Sequence, residues 1–347
     1  MRSTILLVAF YLFFAENKAQ TIQHGRVVTE HLVSEILKEN KIGIDVNRTV
    51  KIYLPPGYAS SHKSYPVVYF FHSMSESAER VFENNQMVTL MERGFANKVV
   101  NEFILVAGDF SSPTIGSLYE NSPVSGRWID FTVKELVPFI DTKFRTIKNR
   151  DSRAVMGHFF GGHGALKLAM THAELFSVAY ALHPVAMGNG HVPWSIFPMD
   201  WKKTFAAKTF DDVGSKIFVA VCQAYLPNVN RPPFYCDFFM EPDADGNPKV
   251  IPDKLQKAKA GFHLDESLNE SAANLRTLRG LALDWGRFDS NQDHVFANQT
   301  FCRKLKDLAI THEAEEYSGD PWNIVWTDNG RFYSRVLPFF SSHLVFE

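Results

Sequence analysis

The sequence predicts an α/β fold built on a doubly wound, mostly parallel sheet. Three observations predict it. Short, largely apolar runs recur at residues 67–71, 103–109, 153–156, 177–182, 216–221 and 281–286, the first of them continuous, the pattern of strands covered on both faces. Segments with apolar residues at helical spacing fall between them, and strand–helix alternation along a whole chain puts helices on both sides of a parallel sheet. The 347 residues, 45% hydrophobic and 21% charged, suffice for one large core, and no internal repeat divides them.

Each element has its own warrant. Residues 25–40 mix alternation with charge and open the edge of the sheet. Residues 48–54 alternate as a half-buried strand, which Pro55-Pro56-Gly57 stops. Tyr65-Pro66 introduces 67–71, which ends at His72-Ser73-Met74-Ser75. The run 103–109 is the next buried strand, and the loop 111–127 follows. Asp130 is placed to cap a helix over 131–140. Strand 153–156 enters a glycine turn, and a helix leaves it after Gly161. Strands at 177–182, 216–221 and 281–286 are the fourth, fifth and sixth buried runs, 312–317 alternates as a seventh strand, and a last helix covers 330–343. Residues 184–215, with Trp194 and Trp201, and 226–279 exceed ordinary connections and read as cap or lid insertions. Residues 21–347 are thus expected to be one domain.

The compartment is read from the N-terminus. Arg2 precedes an apolar run at residues 5–14, followed by a polar stretch that contains Ala19. This is the layout of a secretory signal peptide over 1–20, too short to span a bilayer, so the protein is expected to be secreted or periplasmic. No later stretch is long and apolar enough to cross a membrane. Net charge is −2 with no basic stripe, which excludes nucleic-acid binding. Export permits a disulfide; Cys222 and Cys236 are the nearest pair, and Cys302 is left over. No CxxC or HExxH spacing exists, so neither a metal nor a cofactor is expected. Asn47, Asn269 and Asn298 begin glycosylation acceptor triplets, relevant where the host glycosylates exported proteins.

The chemistry centres on the glycine turn Gly157-His158-Phe159-Phe160-Gly161-Gly162-His163-Gly164. A strand, a sharp glycine turn and a helix in this order form the frame of a nucleophile elbow, G-x-S-x-G, in which the central side chain is lifted to the top of the sheet. Here that residue is Phe159. A benzyl group has no lone pair with which to attack a carbonyl carbon.

Several segments together resemble the putative-esterase family of α/β-hydrolases, which includes feruloyl and acetylxylan esterases, S-formylglutathione hydrolases and mycolyltransferases. They are Tyr53-Leu54-Pro55-Pro56-Gly57-Tyr58, Tyr65 through His72, Glu135 through Asp141, Arg145-Thr146-Ile147, and Gly157 through Leu166, the last similar to G-H-S-M-G-G-x-G-A-L. The order covers most of residues 48–345. The resemblance implies an α/β-hydrolase fold with a serine nucleophile, an acid and a histidine in that chain order. At the serine position stands Phe159. Asp284-Trp285-Gly286-Arg287-Phe288-Asp289 resembles the family's D-x-G-x-x-D, which makes Asp289 a surviving acid or else a turn residue. Asp320 or Pro321 stands where the histidine belongs, depending on a one-residue shift. After His72, where the family places glycine in its oxyanion loop, this chain has Ser73.

Competing functions follow. One is a secreted family member without serine chemistry. It would bind a small-molecule, carbohydrate or acyl ligand in the old cleft, lined by Phe159, Phe160, Trp194, Trp201 and Trp322; the same rings would serve equally as core. A variant reuses Asp289 or Asp320 as acid or base, with help from His158, His163 or His183. A different class is an active carboxylic-ester hydrolase whose nucleophile is displaced to Ser73 or Ser75, which needs a histidine within hydrogen-bond reach. His312 and His343 lie nearest the degenerate histidine turn in sequence. A purely structural or carrier module is a third possibility.

Overall fold

The computed structural model describes residues 24–190 and 199–347, so the leader expected at 1–20 and Trp194 lie outside the described residues. One sheet contains β1 Arg26–Val33, β2 Asn47–Leu54, β3 Val67–Phe71, β4 Ile104–Gly108, β5 Arg153–His158, β6 Val178–Leu182, β7 Gly280–Gly286 and β8 Glu313–Tyr317. Their order across it is β1-β2-β4-β3-β5-β6-β7-β8. β1, β2 and β4 pair antiparallel, and every pairing from β4 through β8 is parallel. Every residue of β3 through β7 is buried, which is why these strands read as largely apolar runs, with Arg153, His158 and Asp284 as the polar exceptions.

Alternation sorts the strand side chains between two faces. Val67, Tyr69 and Phe71 of β3 pack on one side with the α3 helix, Phe160–Thr171, and the α6 helix, Gln292–Asp307. Val68 and Phe70 point to the other side, against α1, Gln86–Ala96, and α7, Leu337–His343. The helix expected after Asp130 forms as Trp128–Asp130, a wider π turn over Phe131–Leu136, and α2, Val137–Lys143. Pro138 lies just past the wider turn, and its missing N–H breaks the regular hydrogen-bond ladder there. A second π turn at Phe332–Val336 stands in the same relation to Pro338.

The structure corrects the expected strand at 216–221. That segment begins the α4 helix, Lys216–Tyr225. β6 is already paired with β7, Val178 to Leu182 against Gly280 to Asp284, so no position remains for a strand between them. Phe218, Val221, Cys222 and Tyr225 instead share one helical face, at i, i+3, i+4 and i+7. They pack with Trp201, Phe239 and Phe262, the last on α5, Pro252–Phe262, in a separate hydrophobic cluster. The cap is therefore one continuous excursion between β6 and β7 rather than two insertions flanking a strand. Lys167 of α3 ties it down, reaching Glu120 and the Tyr225 hydroxyl, the latter at 2.9 Å. Cys222 and Cys236 are buried free thiols in this cluster, and burial pushes the Cys222 thiol up to about 12.

Candidate functional site

The elbow is present in the backbone. Between β5 and α3, Phe159 has φ 57° and ψ −115°, a left-handed strained conformation for a residue with a side chain. Packing enforces it. A Cβ on Gly157 would lie 2.2 Å from the Gly161 carbonyl carbon, and one on Gly161 would lie 1.8 Å from the Phe71 oxygen. The helix thus approaches the sheet closer than any side chain permits, and the chain must turn sharply at 159. The Phe159 N–H donates to the Leu182 oxygen at 2.9 Å, tying the turn to β6.

Phe159 projects among three rings. It stacks on His183, with centroids 5.9 Å apart and planes at 11°, meets His294 edge-on at 5.4 Å, and leans on Trp322 at 5.2 Å. The ring borders the cleft and does not fill it. Beside it lies a cavity of about 280 Å³, walled by Phe160, Val185 and the cap residues Ile217, Phe218 and Val221, with Asn291 and His294 at its polar side.

Asp289 sits at the carboxyl end of β7 and is buried. Its Oδ2 accepts from His183 Nε2 and from His294 Nδ1, both at 2.8 Å, and its Oδ1 accepts the Asn291 N–H. Burial alone would raise this carboxyl, but the three hydrogen bonds outweigh it and hold Asp289 well below the usual carboxylate range. His183 is fully buried, and burial holds it neutral despite Asp289. Its Nδ1 accepts the Gly286 N–H at 2.9 Å, so the ring proton must sit on Nε2 and point at Asp289. His294, half-buried at the start of α6, is the reverse: Nδ1–H faces Asp289, and Nε2 carries the lone pair, 3.1 Å from the Asn291 amide.

His183, Asp289 and His294 are close enough together to suggest a cation site. The tautomer argues against it. With Nδ1 accepting a backbone N–H and Nε2 protonated, His183 offers a cation no lone pair, and two ligands remain. His294 was not legible as a site residue. The only signal was a histidine in the first turn of the helix that Asn291 caps, five residues after the acid.

The remaining sequence candidates have structural partners. His158 is buried, donates from Nε2 to the Pro321 oxygen at 2.9 Å and meets Trp322 edge-on; burial lowers it to about 4. His72 accepts the Phe110 N–H on Nε2 and donates from Nδ1 to the Ser73 oxygen. His163 is buried against the Val185 oxygen, and burial lowers it to about 3. In the turn after β8, the Asp320 carboxylate caps the Trp322 and Asn323 N–H groups at 2.6 and 2.7 Å. Trp322 is about half exposed and faces a second cavity, of about 260 Å³, which His158 also lines. Trp201 packs inside the cap, stacked on Phe205, and does not line the cleft. His343 bonds to Glu313 at the amino end of β8, opposite the cleft, and His312 to the Ile310 oxygen.

A displaced nucleophile finds no support. Among the described residues neither the Ser73 nor the Ser75 hydroxyl is hydrogen-bonded to an imidazole. The Ser73 N–H, in the oxyanion loop, is already taken by the Glu76 carboxylate at 2.8 Å, a charge that would oppose a developing oxyanion.

The family model described as "Putative esterase" matches residues 43–220, half of the chain and the whole of the elbow. The chain belongs to this family. Esterase Rv1288 of Mycobacterium tuberculosis (strain ATCC 25618 / H37Rv) is 32% identical over 142 residues, 38% of this chain and 28% of that protein. The chain thus aligns with little more than a quarter of that relative's length. Among solved structures, a ferulic acid esterase matches with TM-score 0.64 at 20% identity, covering 92% of this chain and 98% of its own. A ferulic acid esterase from Anaeromyces mucronatus, solved in complex with ferulic acid, matches with TM-score 0.54 at 15% identity, covering 94% of each. These likenesses show the α/β-hydrolase fold that the sequence predicted. Among the described residues no helix is long and apolar enough to cross a membrane.

Proposed function

We propose that this chain is an exported member of the esterase family that holds a small aryl or acyl ligand in the cleft beside Phe159, and that serine-based ester hydrolysis is absent from it. The observation that carries the reading is the elbow: its strained backbone is intact, yet it presents a phenyl ring. The family's triad is then dismantled at two of its three positions. Phe159 stands for the serine. The turn with Asp320 and Pro321 brings no imidazole to Asp289, whose Oδ2 is occupied by His183 and His294. Removing a triad nucleophile costs about a millionfold in turnover in a serine protease, and what persists is binding. Binding has a place to occur: the cavity is apolar along the cap and polar at Asn291 and His294, a layout that fits an aromatic or acyl body with one polar end. The relative solved with ferulic acid supports an aryl ligand class. The apolar run at residues 5–14 supports export.

The test is a titration of the mature protein with methyl ferulate and with a medium-chain acyl methyl ester, followed by tryptophan fluorescence or calorimetry. Saturable binding is expected, and Ile217→Trp, which fills the cavity from the cap side, should weaken it at least about tenfold. Equal affinity in that variant would place the ligand elsewhere, and no binding of either ester would sink the reading.

A further inference from the structure

One side chain in the cleft offers more than binding requires. His294 lines the cavity and has its lone pair on Nε2, while its Nδ1–H is anchored on a buried, ionised carboxylate. We propose that His294 is a general base for carbon acids, its Nε2 removing a proton from the carbon next to the carbonyl of an aryl ketone held in the cleft. The proposal rests on the ligand-binding reading of that cleft and adds a reaction to it.

Three features of the geometry support the assignment. The first is the order of hydrogen bonds. Asp289 accepts from Nδ1, so proton uptake at Nε2 creates an imidazolium whose charge is met 2.8 Å away by a carboxylate already in place. The second is exclusivity. His183 touches the same carboxylate oxygen but its second nitrogen is held by the buried Gly286 N–H, whereas the Nε2 of His294 meets only the side-chain amide of the exposed Asn291, so of the two imidazoles His294 is the one open to a proton. His183 instead fixes Asp289, and with Asp289 the direction in which His294 points. The third is Asn291. Its amide lies 3.1 Å from Nε2, and the residue is exposed, so an entering ligand can displace it. A carboxamide has two N–H bonds, and once displaced it is a donor for the ligand's oxygen beside the base.

The step balances without a co-reactant. The C–H bond breaks and its proton goes to Nε2. The electron pair moves into the C–C bond and onto the carbonyl oxygen, giving an enolate whose oxygen the Asn291 amide can bind. The proton then returns to carbon, at the same position or at the far end of a conjugated system. No nucleophile is consumed and no covalent intermediate forms, which suits a site whose elbow carries phenylalanine.

The probe is propiophenone, an aryl ketone with acidic hydrogens next to its carbonyl. Its exchange for deuterium in D2O is followed by NMR, with saturation-transfer NMR in parallel to report binding. The mature protein should bind the ketone and speed exchange over buffer. His294→Gln, which keeps a hydrogen-bonding group near Asp289 but offers no base, should still bind while losing about 10²-fold or more of the rate. Bound ketone that exchanges no faster than in buffer, or a His294→Gln protein as fast as the unmodified one, would overturn the proposal and leave the binding reading standing. Absence of ketone binding would overturn this proposal, while the binding reading would still be decided by the two esters.

Discussion

The turn after β5 and the turn after β8 meet where Trp322 leans on Phe159, and different forces hold them. The elbow after β5 is fixed by close packing: Gly157 and Gly161 have no room for a Cβ, so the strained φ at Phe159 persists whatever side chain stands there. The turn after β8 is fixed by hydrogen bonds, with Asp320 capping Trp322 and Asn323 and the Pro321 carbonyl accepting from His158. The difference teaches how a fold separates from its chemistry. A shape held by backbone packing is indifferent to the chemistry of the residue it displays. A polar group stays in place where other polar groups depend on it, as two imidazoles depend on Asp289.

The comparison can be broken first at the glycines. Gly161→Ala places a methyl on the Phe71 carbonyl, and we expect a loss above about 4 kcal/mol or failure to fold, read by urea denaturation. A near-neutral result would mean that the elbow is not held by packing. Asp289→Ala leaves the buried His183 N–H without an acceptor and should cost about 2–4 kcal/mol, against about 1 kcal/mol for Asp320→Ala, a surface cap. Equal costs would erase the distinction drawn here.

Acid sharpens the same contrast. Burial holds His158 and His263 down to about 4 and His163 to about 3, whereas an unfolded histidine titrates near 6.5. The folded-state values are depressed, so the unfolded chain binds more protons in this window and stability falls as pH drops from 6.5 towards 4. Denaturation at pH 7 and pH 4.5 should differ by upwards of about 2 kcal/mol, with Asp289 adding a further loss below its ordinary 3.8. A flat profile would show that these imidazoles are not buried neutral. A modest effect is expected at the side chain that the elbow displays. Phe159→Ser loses one half-buried ring and should cost about 1–2 kcal/mol while keeping the fold.

Much of this was legible in the sequence because packing writes a strong pattern. The glycines at 157 and 161 and the largely apolar runs of β3 to β7 were read correctly. The run at 216–221 was not, because a short stretch of branched apolar residues has no period of its own; β6 pairing directly with β7 makes it a helix. Asp289 could be singled out by the resemblance of residues 284–289 to the family's D-x-G-x-x-D. The partnership with His183 and His294 could not, since it joins residues more than a hundred positions apart with a residue in the next helical turn. Trp201 shows the limit of composition: an aromatic ring in an insertion reads alike whether it lines a cleft or fills a cap.

The central claim is that serine-type ester hydrolysis is absent, and turnover tests it most directly. The mature protein and Phe159→Ser would be assayed with p-nitrophenyl esters from acetyl to long acyl, together with a feruloyl ester. The account predicts no turnover above a boiled control in the unmodified protein, and at most a weak acylation burst in Phe159→Ser. Sustained turnover by the unmodified protein would contradict it and return attention to Ser73 and Ser75.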